Sequence, residues 1–301
     1  MKSIDYLSTG SNGLLGQNIV NLLLKTNASF LAVSKGENRN PELIGNYISL
    51  DLTVEEEIQD LSSKFSPRYI INTAALTNVD LCEDEKELCD VLNVRAVESL
   101  LAYAEKCQSK LVHLSTDFIF DGLNGPYEED DKPNPLSYYG KSKLDSERVL
   151  LESNYHNWSI LRTIIVYGVV PNMSRSNIVI WAIGALLKGD EMNIVNDQFR
   201  SPTYAEDLAS ACLAVCEKDE KGIFHVSGPE VYSIYDFVKS IAEVLNVSSA
   251  MVKAISSATL NQKAQRPPKT GFSNQKAKER LDYNPRGLDV TIPIIRKKLK
   301  L

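Results

Sequence analysis

Short apolar segments alternate with longer segments of helical periodicity along the first half of the chain. The apolar runs occupy 4–8, 30–34, 69–72 and 110–116, and helical patterns occur at LLGQNIVNLLLK and ELCDVLNVRAVESLLAYAEKC. Strands separated by helix-length segments form βαβ units, and strands without polar alternation are typical of a parallel sheet covered on both faces. The pattern predicts an α/β fold with a doubly wound parallel sheet.

The rhythm changes after Thr163. Turn-forming residues gather at YGVVPNMSRSN, and the buried helix predicted at IVIWAIGALL has about half the length of a membrane span. GIFHVSG predicts one more strand of the sheet, and SIYDFVKSIAEVLN predicts a helix. The chain beyond about residue 247 is polar and predicts mainly loops, with a forced extended turn at RPPK. We expect a first domain of 1–165 plus about 206–234, and a smaller one of about 166–205 and 235–301.

Composition narrows the function classes. The 301 residues are 43% hydrophobic and 24% charged, which is typical of a globular protein. The net charge is −6 and the basic residues are dispersed, so we expect no nucleic-acid partner. Five cysteines without a C-x-x-C and three scattered histidines predict neither a disulfide framework nor a metal site. Without a recognisable targeting or membrane segment, we expect a cytoplasmic protein.

A glycine-rich segment, TGSNGLLG at 9–16, lies between the first predicted strand and the first helix. Glycines at these spacings allow a tight turn, a close backbone approach to a pyrophosphate and close packing of helix on strand. The position directly after an N-terminal strand favours dinucleotide binding over an ordinary turn. The predicted cofactor contacts in this segment are Gly10, Asn12, Gly13, Leu14 and Leu15.

The end of the second strand bears on the choice of cofactor. An NAD-selective site usually carries an acidic residue there, whereas this chain has Ser34 and Lys35, with Arg39 nearby. A hydroxyl and a cation suit a 2′-phosphate, so NADP(H) is favoured and NAD(H) is the alternative. Asp51 and Leu52, after the probable third strand, are expected beside the adenine.

A Tyr-x-x-x-Lys pair, Tyr139 and Lys143, has the i, i+4 spacing that places both side chains on one helix face. An ammonium near a phenol stabilises the phenolate and makes the tyrosine a usable proton donor to a carbonyl. The pair follows a strand that ends in Ser115, Thr116 and Asp117. This combination predicts a carbonyl-reducing site.

These motifs resemble the extended short-chain dehydrogenase/reductases and, within them, the dTDP-4-dehydrorhamnose reductases. The resemblance also covers INTAALTNVDLCEDE, LNVRAVESLL, HLSTDFIFDG, LRTIIVYG and DQFRSPTYAEDLA. It implies a Rossmann-type NADP-binding first domain and a C-terminal substrate-binding domain. It further implies that Thr116 polarises the substrate carbonyl, that Tyr139 is the general acid, and that Lys143 holds the nicotinamide ribose.

Further residues take roles only through this resemblance. Asn93 matches a helix asparagine that supports the active-site lysine and water, and Ala74, Ala75 and Thr77 match a stretch that lines the cofactor. Asp117, Arg200 and Arg266 are the expected substrate contacts, with Arg266 on the diphosphate. His113, His156 and His225 are expected to be structural.

The neighbours of Thr116 help to choose among reactions. Related 4,6-dehydratases carry an Asp-Glu pair after the threonine, but here Asp117 precedes Phe118. The segment STDFIF also has no cysteine for the proton exchange of the related fucose-forming epimerases. Simple carbonyl reduction is therefore predicted. The resemblance implies that the reaction is NADPH-dependent reduction of the 4-keto group of a nucleotide-activated deoxysugar, dTDP-4-dehydrorhamnose to dTDP-rhamnose. A nucleotide-sugar 4-epimerase and a regulatory subunit like that of methionine adenosyltransferase are the alternatives.

Three departures from the family pattern leave the exact sugar and a homodimer open. Ile165 stands where a tryptophan often packs on the sugar, and Arg200 replaces a small residue. Gln17 and Asn18 stand where some members carry an acidic residue at a dimer contact.

Overall fold

The structure is a computed structural model that describes residues 1–301. It contains thirteen strands, several of them only two residues long. The strands are β1 (Lys2–Thr9), β2 (Phe30–Ser34), β3 (Tyr47–Ser49), β4 (Phe65–Asn72), β5 (Lys110–Thr116), β6 (Trp158–Thr163), β7 (Val166–Tyr167), β8 (Met192–Val195), β9 (Phe199–Arg200), β10 (Thr203–Tyr204), β11 (Gly222–His225), β12 (Tyr232–Ser233) and β13 (Val252–Ile255).

Eleven α-helices connect or cover these strands. They are α1 (Leu14–Leu23), α2 (Glu55–Lys64), α3 (Val79–Asp84), α4 (Lys86–Asp90), α5 (Ala96–Cys107), α6 (Tyr138–Leu151), α7 (Ile178–Lys188), α8 (Ala205–Glu217), α9 (Ile234–Leu245), α10 (Gln275–Leu281) and α11 (Leu288–Leu299). A π-helical turn at Val91–Arg95 joins α4 to α5. None of these helices is long and apolar enough to cross a membrane.

Seven strands form one parallel sheet, in the order β11-β6-β5-β4-β1-β2-β3. The chain proceeds outward from β1 to β3 and then returns to build β4, β5 and β6 on the other side of β1. The switch point therefore lies between β1 and β4, where a crevice opens at the carboxyl ends of the strands. The predicted Rossmann-type sheet is confirmed, including the returning strand β11.

The sheet is covered on both faces. Ile19 of α1 and Leu208 of α8 pack on one face, and Ile58 of α2 and Leu100 of α5 pack on the other. Because both faces are buried, the strands need no polar alternation, which explains the continuous apolar runs in the sequence. A separate apolar cluster joins α7, α9, α11, β8 and β13 beside the sheet.

The prediction of mainly loops after residue 247 was wrong in part. Helix α11 packs on α9 through the buried Ile292 and Ile295, although Pro293 lies within it. Helix α10 packs through Ala277 against α8 and β11, in the apolar cluster that also contains Ile19 and Leu208. It does not belong to the separate cluster beside the sheet. Pro293 and the basic tail obscure the apolar periodicity of α11, and α10 is too short for a helical periodicity to be recognised. The division into two domains otherwise stays a prediction.

Candidate active site

A cavity of about 620 Å³ opens at the carboxyl ends of β1, β4 and β5, beside the switch point. Backbone and side chains from the glycine-rich loop form one wall, and α6 and the end of β5 form the other. Predicted site residues that line this cavity are Asn12, Gly13, Leu14, Leu15, Ala74, Ala75, Thr77, Thr116, Asp117, Tyr139 and Lys143. The fold thus brings together both predicted motifs, which are separated by more than a hundred residues in the chain.

The glycine-rich loop has the shape that an anion cradle requires. Gly10 has φ +66° and would place a side chain 2.7 Å from the backbone nitrogen of Ala74, while a side chain at Gly16 would lie 2.3 Å from the Gly10 carbonyl oxygen. Helix α1 begins without a side-chain cap, and the Leu14 and Leu15 amides have no acceptor within the protein. Free amides at a helix N-terminus, on the cavity wall, fit the pyrophosphate of a dinucleotide.

Asn12 connects this loop to the segment after β2. Its amide nitrogen donates to the Glu37 carbonyl (2.8 Å) and to the Tyr47 hydroxyl (3.0 Å), and its oxygen accepts from the Arg39 amide (2.9 Å). Tyr47 donates in turn to the carbonyl oxygens of Ser34 and Gly36. Asn12 and Tyr47 therefore shape the loop on which cofactor selectivity was predicted to depend. Sequence analysis did not identify Tyr47, because a tyrosine in a short strand has no motif around it.

The residues predicted for the 2′-phosphate and adenine lie outside the cavity lining. Lys35 Nζ lies 2.6 Å from Asp51 Oδ2, and the Lys35 side chain is 79% exposed. Ser34 is partly buried at the end of β2. Leu52 packs in the apolar cluster that also contains Ile58 and Leu100. A 2′-phosphate at Lys35 has to compete with the Asp51 carboxylate, a pairing that the spacing in the sequence does not reveal.

Tyr139 lies at the first turn of α6, which Ser137 caps by accepting from the Gly140 amide. Its ring packs at 5.6 Å against Phe118 in an edge-on arrangement. Burial raises the pKa of the Tyr139 phenol well above its usual range, and the neighbouring Thr116 hydroxyl opposes this shift only in part. The tyrosine is therefore a neutral phenol that still carries the proton it would donate.

Lys143 does not contact the phenol in this structure. Its Nζ lies 3.0 Å from Nε2 of His113, a buried residue of β5. Burial lowers the pKa of Lys143 to about 8. The Lys143 side chain thus lies against an imidazole, and no hydrogen bond joins it to the Tyr139 phenol.

Asn93 links two elements beside the cavity. It lies in the π-helical turn, where its oxygen accepts from the Leu76 amide (2.7 Å) and its nitrogen donates to the Ser142 hydroxyl (3.0 Å). It forms no hydrogen bond with Lys143. Asn93 fastens the loop after β4 to α6, and so holds the predicted cofactor-lining stretch against the helix that carries Tyr139 and Lys143.

Thr116 ends β5, and its hydroxyl donates to Asp117 Oδ1 at 3.2 Å. Asp117 is buried, and burial raises the pKa of its carboxyl although Arg200 and Thr270 oppose the shift. Thr270 donates to its other oxygen at 2.5 Å, and Arg200 Nε lies 3.4 Å from it. The Asp117 carboxylate is therefore largely occupied by protein partners.

Two predicted substrate contacts lie away from the cavity. Arg200 is buried and donates to the carbonyl oxygens of Phe199 and Pro267, so it fastens the late proline-containing loop to the Asp117 turn. Arg266 donates to both carboxylate oxygens of Asp80, at 3.2 and 2.8 Å. Each guanidinium group is paired with at least one partner that is distant in sequence, Pro267 for Arg200 and Asp80 for Arg266.

Other residues on the cavity wall were not predicted as contacts. Ser115 presents a buried hydroxyl that has no hydrogen-bond partner, and Ile165 has φ +36°, which is strained for a β-branched residue. Arg175 is exposed on the loop before α7 and forms no ion pair or hydrogen bond in the protein. Arg175 and Lys143 are the only basic residues of the lining. The hydroxyl of Ser115, the backbone of Ile165 and the guanidinium of Arg175 therefore give this wall features that are typical of a ligand-binding surface.

Comparison with known proteins gives a consistent result. The family model for the RmlD substrate binding domain matches residues 4–298. The dTDP-4-dehydrorhamnose reductase of Aggregatibacter actinomycetemcomitans is 32% identical over 93% of this chain and 94% of its own. Methionine adenosyltransferase 2 subunit beta of Xenopus laevis is 33% identical over 83% of this chain and 74% of its own.

A solved structure agrees with the sequence relatives. The dTDP-4-dehydrorhamnose reductase of Bacillus anthracis str. Ames, determined in complex with NADP, superposes with a TM-score of 0.82. The two sequences are 26% identical, and the match covers 99% of this chain and 100% of the other. The resemblance inferred from the motifs is confirmed, and the chain belongs to the RmlD substrate-binding domain family.

Proposed function

We propose that this protein reduces the 4-keto group of a nucleotide-activated deoxysugar with NADPH, and that dTDP-4-dehydrorhamnose is the sugar. The class of reaction stands independently of the sugar: the chain is an NAD(P)-dependent oxidoreductase of its family, as predicted from the motifs. The observation that carries the proposal is the convergence of Thr116, Tyr139 and Lys143 on one wall of a cavity whose opposite wall is the glycine-rich loop.

The side chains on this wall divide the work of carbonyl reduction. The neutral Tyr139 phenol donates its proton to the carbonyl oxygen as negative charge develops there. Thr116 supplies a hydroxyl at the same oxygen, where a positioned donor stabilises the transition state more than the ground state. Lys143, one helical turn from Tyr139, provides positive charge for the phenolate that remains after proton transfer.

The residues present fit NADP(H), which when bound supplies the hydride. The free amides of Leu14 and Leu15 would hold the pyrophosphate, and Ala74 and Ala75 at the end of β4 would contact the cofactor from the second wall. Lys35 would meet the 2′-phosphate in competition with Asp51.

Arg175 is the proposed contact for the substrate diphosphate, in place of Arg266. It is an unpaired cation on the cavity wall, whereas Arg266 is neutralised by Asp80. The diphosphate does not react, so its contacts bind ground and transition states alike. Arg175→Ala should raise KM for the sugar nucleotide about tenfold with little change in kcat. Arg148→Ala, which removes an exposed arginine outside the cavity, should change neither constant.

Methionine adenosyltransferase relatives favour a second candidate, a regulatory subunit that binds the cofactor without turnover. The intact Thr116, Tyr139 and Lys143 on the cavity favour the enzyme. A 4-epimerase needs the same side chains but returns its cofactor to the starting oxidation state.

NADPH oxidation at 340 nm, measured with a panel of nucleotide 4-ketosugars, separates these functions. Stoichiometric release of NADP⁺ with a ketosugar supports the reductase, product formation without net oxidation indicates the epimerase, and no turnover with any ketosugar indicates the regulatory subunit. Tyr139→Phe should lower kcat by about 10²-fold or more. Tyr138→Phe is the matched control, because the adjacent hydroxyl donates to Asp90 and lies outside the cavity.

A further inference from the structure

A buried histidine lies beneath the catalytic lysine and has no task in the proposed reaction. His113 belongs to β5, three residues before Thr116, and is fully buried. Its Nε2 lies 3.0 Å from Lys143 Nζ and 2.9 Å from Ser146 Oγ. Its Nδ1 lies 3.2 Å from the side-chain nitrogen of Asn72. Every polar atom of the imidazole thus has a partner inside the protein.

The neighbours of Asn72 determine which imidazole nitrogen carries the proton. The backbone amide of Ala74 can only donate, and it points at Asn72 Oδ1 at 3.2 Å. Thr9 donates to the same oxygen at 2.6 Å. The amide nitrogen of Asn72 must therefore face His113 and donate to Nδ1, so a neutral ring carries its proton on Nε2. Burial lowers the pKa of His113 well below its usual value, which keeps the ring neutral.

The Nε2 proton of His113 faces Ser146 and Lys143. The Ser146 hydroxyl donates to the Lys143 carbonyl at 2.7 Å, so the serine oxygen is free to accept from the imidazole. An uncharged amine has a lone pair that tolerates the same N–H group, whereas an ammonium has only donors. The geometry at this position therefore favours the uncharged form of Lys143.

Other groups around Lys143 act in both directions. Burial is the largest influence on the lysine pKa and lowers it, while Glu147 on α6 and Cys89 on α4 raise it. Glu147 is held by two hydrogen bonds from Arg162, at 2.9 and 2.7 Å, so much of its charge is already compensated. The imidazole N–H is the group in direct contact with the amine.

We propose that His113 is a positioning residue that disfavours the ammonium form of Lys143 in the free protein, so that cofactor binding above neutral pH is coupled to the uptake of a proton by Lys143. This inference rests on the proposed function and on the role that the family resemblance implies for Lys143, which is to hold the nicotinamide ribose. There the amine faces hydroxyl oxygens and lies nearer the negative cofactor phosphates, and both favour the ammonium. The proton comes from the solvent, and no bond to carbon changes.

The test measures NADPH binding by titration calorimetry in two buffers of different ionisation enthalpy at the same pH. We expect uptake of roughly half a proton at pH 8, nearly one at pH 9 and little at pH 6.5. The Kd for NADPH should rise about tenfold per pH unit above the lysine pKa. Lys143→Met should abolish the uptake, which assigns the proton to this side chain.

Variants of the histidine separate positioning from simple packing. His113→Leu removes the opposing N–H, so we expect uptake at pH 8 to fall to roughly a tenth of a proton and the weakening of NADPH binding to begin about one pH unit higher. His113→Gln keeps a donor and should restore wild-type uptake. Thermal unfolding identifies a variant that fails to fold, and in that case the wild-type and Lys143→Met titrations still decide whether Lys143 takes up a proton.

The possible results distinguish this inference from the proposed function. Absence of NADPH binding at every pH would overturn both. Binding without proton uptake, or equal uptake in wild type and a folded His113→Leu variant, would overturn the positioning role alone.

Discussion

Helix α6 makes a close contact at Gly140 with the turn after Thr116, and this contact predicts the effect of a substitution there on catalysis. A β-carbon built on Gly140 lies 2.2 Å from the carbonyl oxygen of Phe118, whereas unstrained carbon–oxygen contacts begin at about 3.3 Å. Gly140→Ala must therefore move α6 by roughly 1 Å relative to the turn that carries Thr116. Tyr139 precedes this glycine and would move with it.

The expected effect is a loss of catalysis that exceeds the loss of folding. A misplacement of about 1 Å between reacting groups costs about 10²-fold in rate, so kcat should fall by about that factor. Overpacking should cost about 1–3 kcal/mol of unfolding free energy, partly offset by about 1 kcal/mol of helix propensity gained by alanine. The assays are NADPH oxidation with the 4-ketosugar and urea unfolding of the same preparations.

Gly184 supplies the matched control. It lies within α7, and a β-carbon there meets nothing within 4 Å. Gly184→Ala should stabilise the protein by about 0.5–1 kcal/mol and leave kcat unchanged. If Gly140→Ala retained kcat within about threefold of wild type, the argument that this glycine sets the Tyr139–Thr116 distance would be refuted.

Two further predictions concern pH and cofactor choice. Burial, together with the charge of Arg162, lowers the pKa of His225 to about 3. As the pH falls below about 6.5, this histidine is therefore protonated in the unfolded chain before it is protonated in the folded protein. The free energy of unfolding should be fully retained above about pH 6.5 and should fall by roughly 1.4 kcal/mol per pH unit toward pH 3. Urea unfolding from pH 7 to 5 should show a shallower decline for a folded His225→Gln, whereas exposed His156→Gln should keep the wild-type slope. Lys35→Ala should lower the ratio of kcat/KM for NADPH to that for NADH by no more than about fivefold, because this exposed cation already pairs with Asp51. A wild-type preference for NADH would contradict the prediction that NADPH is the cofactor.

The predicted contacts show which property of a charged side chain the sequence does not reveal, namely its partner in the folded protein. Arg266 has the residue type and the proline-stiffened context of a phosphate contact, but its partner is Asp80, 186 positions away. Arg200 and Lys143 likewise have partners on other elements, in Pro267 and His113. A charged side chain is free for a ligand only if the folded chain leaves it unpaired, and that depends on contacts between distant segments.

What the sequence alone determined is what short segments encode. The apolar runs specify buried parallel strands, the spacing from Gly10 to Gly16 specifies the cradle at the start of α1, and Tyr139 and Lys143 share a helix face because four residues make about one turn. The tertiary structure decided the rest: that Asn93 fastens the loop after β4 to α6, that Arg175 stays unpaired, and that Lys143 contacts His113. These outcomes depend on burial and on hydrogen-bond partners that only packing brings within reach.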